Sequence, residues 1–198
     1  FTPPITDGSG NDRKNLLKAK EILEKEGWFV ENGKLIKDGK EFKFEFLIVS
    51  PSDEKIALAY QSNLKKLGIT MDVRTVDSSQ YQERLLSYDF DMIKRYWGVS
   101  LSPGNEQQFY WGSEVGQKDG SRNYPGINSP AVDAVIEKLI SATKREELTT
   151  AIHALDRVLL WGHYVVPLYH SNKDRIAYWD FFEYPDEIPL YGIVIESW

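Results

Sequence analysis

The stretch from Phe42 to Trp97 constrains the fold more than any other part of the chain. In "FKFEFLIVS" (42–50), Phe42, Phe44, Phe46 and Ile48 alternate with Lys43 and Glu45. That is the period of a strand, and its end turns wholly apolar. "PSDEKIALAYQSNLKKLG" follows with a helical stripe of Ile56, Ala59, Tyr60, Leu64 and Leu67. Ser52 is the expected cap, Asp53 and Glu54 suit the first turn, and Gly68 is the stop. "ITMDVRTVD" (69–77) reads as a second strand, Ser78 as the cap of a short helix, and "FDMIKRYW" (90–97) as a third strand. Strand–helix–strand–helix–strand at these lengths requires two crossovers, which should be right-handed and give a parallel sheet. The expected fold class is α/β: an open, mixed or mainly parallel sheet with helices on both faces.

The flanks extend this pattern. A helix is expected near 12–26, with Leu16, Ala19, Ile22 and Leu23 as its stripe and Gly27 as its end. Asn32-Gly33 and Asp38-Gly39 mark hairpin-like turns. Ser129-Pro130 opens another helix, with Val132, Val135, Ile136 and Leu139 inward, and a further one runs near 144–161. "YVVPLYH" (164–170) and "IPLYGIVIES" (188–197) read as strands, the first at an edge because of Pro167. The chain starts at Phe1 and ends at Ser197-Trp198 after an apolar run, so it reads as a portion of something longer.

Between the third strand and Ser129 lies a long region, 98–128, with six glycines and no regular pattern. Such stretches are functional or disordered, and "RYWGVSLSPGNEQQFYWGS" (95–113) is too aromatic for disorder. Aromatic residues make up 13% of the chain, a surplus that suits contact surfaces as well as a large core. Trp97 stands at a strand tip, where open α/β sheets present ligands. Asn105, Gln107, Gln108 and Asn123, with the hydroxyls of Tyr96, Tyr110 and Tyr124, offer uncharged hydrogen bonds suited to peptide backbone. Phe109, Tyr110 and Trp111 are also candidates to pack the loop onto the domain.

Other chemistries find little support. A net charge of -6 without a basic stripe argues against nucleic acid, and no apolar run reaches membrane-spanning length. Without cysteine there is no disulfide scaffold, thiolate metal site or cysteine nucleophile. His153, His163 and His170 lack metal-ligand spacing, so no metal or cofactor is expected. Phosphate-cradling glycine loops and nucleophile elbows are missing from the sequence. Glu106 and Glu114 among aromatics are the only acid–base candidates, and no catalytic residue is assigned. A protein-interaction module and a hydrolase with Glu106 as acid stand as alternatives to a binding role.

"LLKAKEILEKEGW", "FKFEFLIVS" and "IALAYQSNLKKLGITMDVRTVDSSQYQERLLSYDFDMIKRYWGVS" together resemble the second lobe of family 5 extracellular solute-binding proteins, the peptide-type receptors of ABC importers. "PGNEQQFYWGS", "SRNYPGINSPAVDAVIEKL" and "IPLYG" are similar to the oligopeptide and microcin C receptors of Gram-negative bacteria. The resemblance covers about 12–198. It implies one lobe of a class II periplasmic-binding-protein fold spanning 1–198, with 1–11 and 180–198 as boundary segments near a hinge and a missing lobe. It further implies a monomeric periplasmic protein, an oligopeptide or peptide-like ligand, and the permease subunits of an ABC importer as membrane partners, with no membrane insertion.

Many such receptors carry an Asp three residues after the strand-end Trp, paired with the peptide amino terminus; here that position is Ser100. Either Glu106 takes over the amine or no free amine is required. "RNY" matches the family's ligand-side loop, which makes Asn123 and Tyr124 candidates, while Asp133 is expected to be structural. The expected ligand-binding set is therefore Tyr96, Trp97, Ser100, Asn105, Glu106, Gln107, Asn123 and Tyr124.

Overall fold

A computed structural model of the chain describes residues 2–6, 8–10, 12–98, 102–116, 118–168, 175–181, 183, 187 and 192. The chain divides into two units, Phe1–Val165 and Val166–Trp198. All regular secondary structure among the described residues lies in the first.

Helix α1 (Arg13–Lys25) starts at Asp12, whose carboxylate accepts the Asn15 amide at 3.1 Å. No residue of α1 is fully buried, and Leu17 and Ile22 are half exposed; only Leu23 of the expected stripe packs on the main core. A meander of β1 (Phe29–Glu31), β2 (Lys34–Lys37) and β3 (Lys40–Glu41) follows, antiparallel throughout. Asn32, Gly33, Asp38 and Gly39 all have positive φ, the conformation its two tight turns need and these residues tolerate.

The central sheet holds β4 (Lys43–Ile48), β5 (Thr70–Thr75) and β6 (Met92–Ile93) in the order β5-β4-β6. Both pairings are parallel, with Phe46 opposite Val73 on one side and Met92 on the other. Side chains of β4 alternate between two cores. Phe46 and Ile48 pack with Ala57 and Leu64 of α2 (Pro51–Lys65), and Leu47 with Tyr81 and Leu85 of α3 (Ser78–Leu86). Helices thus cover both faces, as the crossover pattern predicts. The meander is tied to this layer at Gly68, whose carbonyl accepts the Leu35 amide at 2.7 Å. Gly68 has φ +80°, and a Cβ there would lie 2.9 Å from the Leu35 nitrogen, so glycine is required twice over.

Several local expectations shift. Ser50, not Ser52, caps α2, because Pro51 takes the first helical position, where its missing N–H does no harm; Ser50 Oγ accepts the Ser52 amide at 3.2 Å. Tyr60, Leu64 and Leu67 of the expected α2 stripe do pack on the core, but Ala57 is buried and Ala59 exposed, so that one position differs. Asp77 caps α3 in place of Ser78, accepting from the Ser79 and Gln80 amides at 2.9 Å. The third strand shrinks to two residues because only Phe46 and Leu47 of β4 pair with it. Residues 164–168 form no strand; 169–170, and all of 188–197 except Gly192, lie outside the described residues. The 98–128 region is not wholly irregular, since it contains α4 (Glu106–Trp111).

Downstream, α5 (Pro130–Ile140) and α6 (Arg145–Trp161) form a hairpin around Ile127, Val132, Ile136, Leu139, Ala151 and Leu155, with Trp111 packed against it. No described helix is long and apolar enough to cross a membrane. Leu47 is fully buried at the centre of the sheet. Leu47→Ala should cost about 2–5 kcal/mol, the range for truncating a core leucine. Leu58→Ala, on the exposed side of α2, should stay within about 0.5 kcal/mol. Urea unfolding midpoints of the two variants test the assignment of β4 as the core strand.

Candidate functional site

Six aromatic residues between 88 and 124 form a connected row. Tyr110 meets Trp111 edge-on at 6.4 Å between centroids, and Trp111 meets Trp97 at 4.7 Å. Trp97 lies 6.5 Å from Tyr124, Tyr124 is 6.4 Å from Tyr88, and Tyr88 stacks on Phe90 at 6.1 Å. These spacings fall within the range where aromatic pairs attract beyond their buried area. The row begins on α4, passes the C-terminal side of β6, and ends on the α3 core. Tyr110 is buried and Trp111 half-buried, while Phe109 is exposed, so this aromatic run both packs the loop and leaves rings accessible.

Asn123 holds the loop in shape. Its side chain is wholly buried. Nδ2 donates to the Gly112 and Ile127 carbonyls, each at 2.9 Å, and Oδ1 accepts the Ile127 amide at 2.9 Å. Three backbone groups of a segment without regular structure are thereby satisfied by one side chain. Gly116 packs against this amide so closely that a Cβ there would sit 2.5 Å from Nδ2. Ser113 extends the lock, donating its amide to Asp133 Oδ1 and accepting the Ser129 amide at its hydroxyl, both at 2.9 Å. Asp133 thus has the structural contact expected of it.

Gln107 is also buried. Its Oε1 accepts the Trp111 indole N–H at 3.0 Å, and its Nε2 donates to Glu106 Oε1 at 3.3 Å. Partial burial works to raise the Glu106 pKa, but hydrogen bonds from the Gly104 amide, its own amide and Gln107 outweigh it and hold the carboxyl below the ordinary glutamate value. A general acid needs the opposite shift. Trp97 is half-buried, with its indole N–H directed to the Arg122 carbonyl at 3.4 Å. Tyr96 is 86% exposed, and Asn105 is exposed at the start of α4 with no side-chain capping bond. Ser100 lies outside the described residues.

Of the expected set, Trp97 and Tyr124 are brought together, and Glu106 and Gln107 join them through Trp111. Asn123 lies beneath, facing backbone. Arg95 was missed. Its guanidinium carbon sits 4.9 Å from the Tyr124 ring centroid, and Nη2 donates to the Tyr124 hydroxyl at 3.0 Å. Next to it, the Lys94 ammonium pairs with Asp53 of α2. The signal was present in "KRYW", two cations running into two aromatics. Among the described residues no three His, Cys, Asp or Glu side chains gather to hold a metal.

Residues 1–119 match the family "Bacterial extracellular solute-binding proteins, family 5 Middle". The chain belongs to this family. A putative binding protein of Brucella melitensis is 48% identical over 197 residues, 99% of this chain and 32% of its own length. A probable peptide-binding protein of Agrobacterium fabrum is 40% identical, over 98% of this chain and 32% of its own. The chain spans about a third of the length of these curated relatives. The oligopeptide-binding protein of Bacillus subtilis, solved with a nonapeptide, superposes with a TM-score of 0.65 at 28% identity, covering 72% of this chain and 29% of that one. The fold is therefore that of one part of a class II periplasmic binding protein, and the family 5 resemblance of the sequence is correct.

The lock at Asn123 yields a stability test. Asn123→Ala strands three buried backbone groups, each costing about 1–3 kcal/mol when unpaired, so a loss of about 3 kcal/mol or more is expected on denaturant unfolding. Glu106 yields a pH test. Its folded pKa is depressed, so its stabilisation is complete above the unfolded pKa and disappears as pH falls through the folded one. Melting curves between pH 7 and pH 3 should show wild type losing more stability on acidification than Glu106→Gln; parallel curves would contradict the hydrogen-bonded carboxylate.

Proposed function

We propose that this chain is the later lobe of an extracytoplasmic solute-binding protein that captures oligopeptides or peptide-like ligands and delivers them to an ABC importer. The observation that carries this reading is the ring row 110–111–97–124, laid across a loop that leaves the sheet at its C-terminal side. Open α/β sheets bind ligands there. Peptides lack a common side chain, so a receptor for many of them gains from flat aromatic surfaces and backbone-directed polar groups. The peptide-binding names of the Agrobacterium and Bacillus relatives agree with this chemistry. Periplasmic location, permease partners, a monomeric state and the single-lobe span, with 1–11 and 180–198 as segments leading to a hinge, belong to the same proposal.

Within the expected ligand set, the reading divides the labour. Tyr96, Trp97, Asn105 and Tyr124 meet ligand. Gln107 and Asn123 position the rings from below, and Glu106 fixes the entry to α4. Catalysis is no part of this reading, since Glu106 is held ionised by loop amides.

A two-lobed clamp shares its contacts, so this chain alone should bind peptide far more weakly than the full-length receptor; equal affinities in calorimetry would sink the clamp. Trp97→Ala in the full-length receptor should weaken peptide binding by about 0.5–1.5 kcal/mol beyond the area lost. Its melting loss should stay below the roughly 3–5 kcal/mol of a fully buried tryptophan, because the ring is only half-buried. A collapse of stability with normal binding in the folded fraction would make Trp97 a core residue instead.

A further inference from the structure

Lys94 and Arg95 are consecutive cations with opposite circumstances. The Lys94 ammonium pairs with Asp53, whose side chain is only 14% exposed, in the first turn of α2. That pair is internally neutral. Arg95 is exposed, and among the described residues no carboxylate lies within ion-pair distance of it. Its partner is a neutral ring. Tyr124 takes one guanidinium N–H at its hydroxyl and lies beneath the guanidinium carbon. Tyr124 is itself held between Tyr88 and Trp97. The positive charge is therefore held in place without being neutralised.

Such an arrangement prepares one kind of contact. A guanidinium carries five N–H donors in a planar fork, and one bond to Tyr124 leaves most of them open. Stacking on an aromatic face restricts the side chain, so less freedom is lost when an anion arrives. The fork matches a carboxylate in two parallel hydrogen bonds. A neutral carbonyl can accept one of these N–H groups, but it returns less than a carboxylate and leaves the charge uncompensated.

Resting on the reading of this surface as a peptide site, we propose that Arg95, backed by Tyr124, is a specificity-determining residue that receives a carboxylate of the bound peptide. Two sources share that chemistry, the peptide's C-terminal carboxylate and an acidic side chain. In either case the receptor selects peptides that carry that carboxylate over those that lack it, and charge at this point, rather than side-chain shape, sets the ligand's register along the ring row.

The experiment uses the full-length receptor and four synthetic probes: trialanine, trialanine amide, Ala-Glu-Ala amide and Ala-Gln-Ala amide. Isothermal titration is run on wild type, Arg95→Gln and Arg95→Lys, with melting curves to establish that each variant is folded. Wild type should bind at least one carboxylate-bearing probe about tenfold or more tighter than its carboxamide partner. Preference for trialanine over its amide assigns the C-terminus, and preference for the Glu over the Gln peptide assigns the side chain. Arg95→Gln should abolish that preference by weakening the carboxylate-bearing probe alone, and Arg95→Lys, which keeps charge without the fork, should recover only part of it. Equal binding of carboxylate and carboxamide probes by wild type, or a preference that survives in Arg95→Gln, overturns the role of Arg95 and leaves the peptide site standing. If none of the four probes binds the folded wild type, the peptide reading falls, and this assignment with it.

Discussion

Strand β4 is the member on which the other elements depend. Among the described residues it is the one strand with parallel neighbours on both sides, and its alternate side chains supply two separate cores. Phe46 and Ile48 need α2 to cover them, and Leu47 needs α3. Because a strand's period is two, a register slip of one residue would exchange these sets and turn Lys43 and Glu45, which share the α3 face with Leu47, toward the apolar side of α2. The same strand fixes where the loop region begins, because β6 pairs only with Phe46 and Leu47 and the chain leaves the sheet just beyond. Everything from Lys94 to Trp97 is positioned by that short pairing and by contacts made after it.

Those later contacts solve a problem that the sheet cannot. A segment of some thirty residues with one six-residue helix carries many backbone groups that have no ladder to join. Asn123 satisfies three of them, and Ser113 with Asp133 ties the segment to the start of α5. Indole and phenol groups also take part: Trp111 bonds Gln107, Tyr110 bonds the Gly98 carbonyl at 3.0 Å, and Trp97 faces the Arg122 carbonyl. Each ring is thus anchored at its polar edge and packed on its apolar face. An aromatic surface built this way is ordered before any ligand reaches it, which reduces the entropy cost of binding.

How much of this could be read in advance follows from the range of the interactions. The β4–α2–β5–α3 succession was legible because periodicity, glycine stops and hairpin turns are local. Caps were misplaced by one or two residues at Ser52 and Ser78, where Pro51 and Asp77 competed with near-equivalent neighbours. Trp97 and Tyr124 could be placed near each other from the strand end and the "RNY" stretch, but their connection through Trp111 could not. Asn123 shows the limit well. An asparagine in a turn-rich loop reads as an exposed hydrogen-bonding group, and only the folded backbone of Gly112 and Ile127 reveals that its amide faces inward. Helix α4 escaped notice because six residues are too few to show a period, and it is held by Gln107 and Tyr110 packing rather than by propensity.

Charge placement around the ring row follows from what each cation has nearby. Lys94 sits beside the N-terminus of α2, where an acidic residue is favoured for the helix itself, so Asp53 serves the helix and the ammonium together. That arrangement fixes the strand end to the helix and leaves no field to attract a ligand. Among the described residues, the contacts of Arg95 are with the π-electrons and phenol oxygen of Tyr124. A lysine could not use both, because an ammonium lacks the planar fork that lets one face rest on a ring while its edge still donates. A carboxylate in place of Tyr124 would neutralise the charge and close the site to anions. The combination of arginine and tyrosine keeps the charge oriented, accessible and incompletely satisfied, which is the state in which an incoming carboxylate gains most from binding.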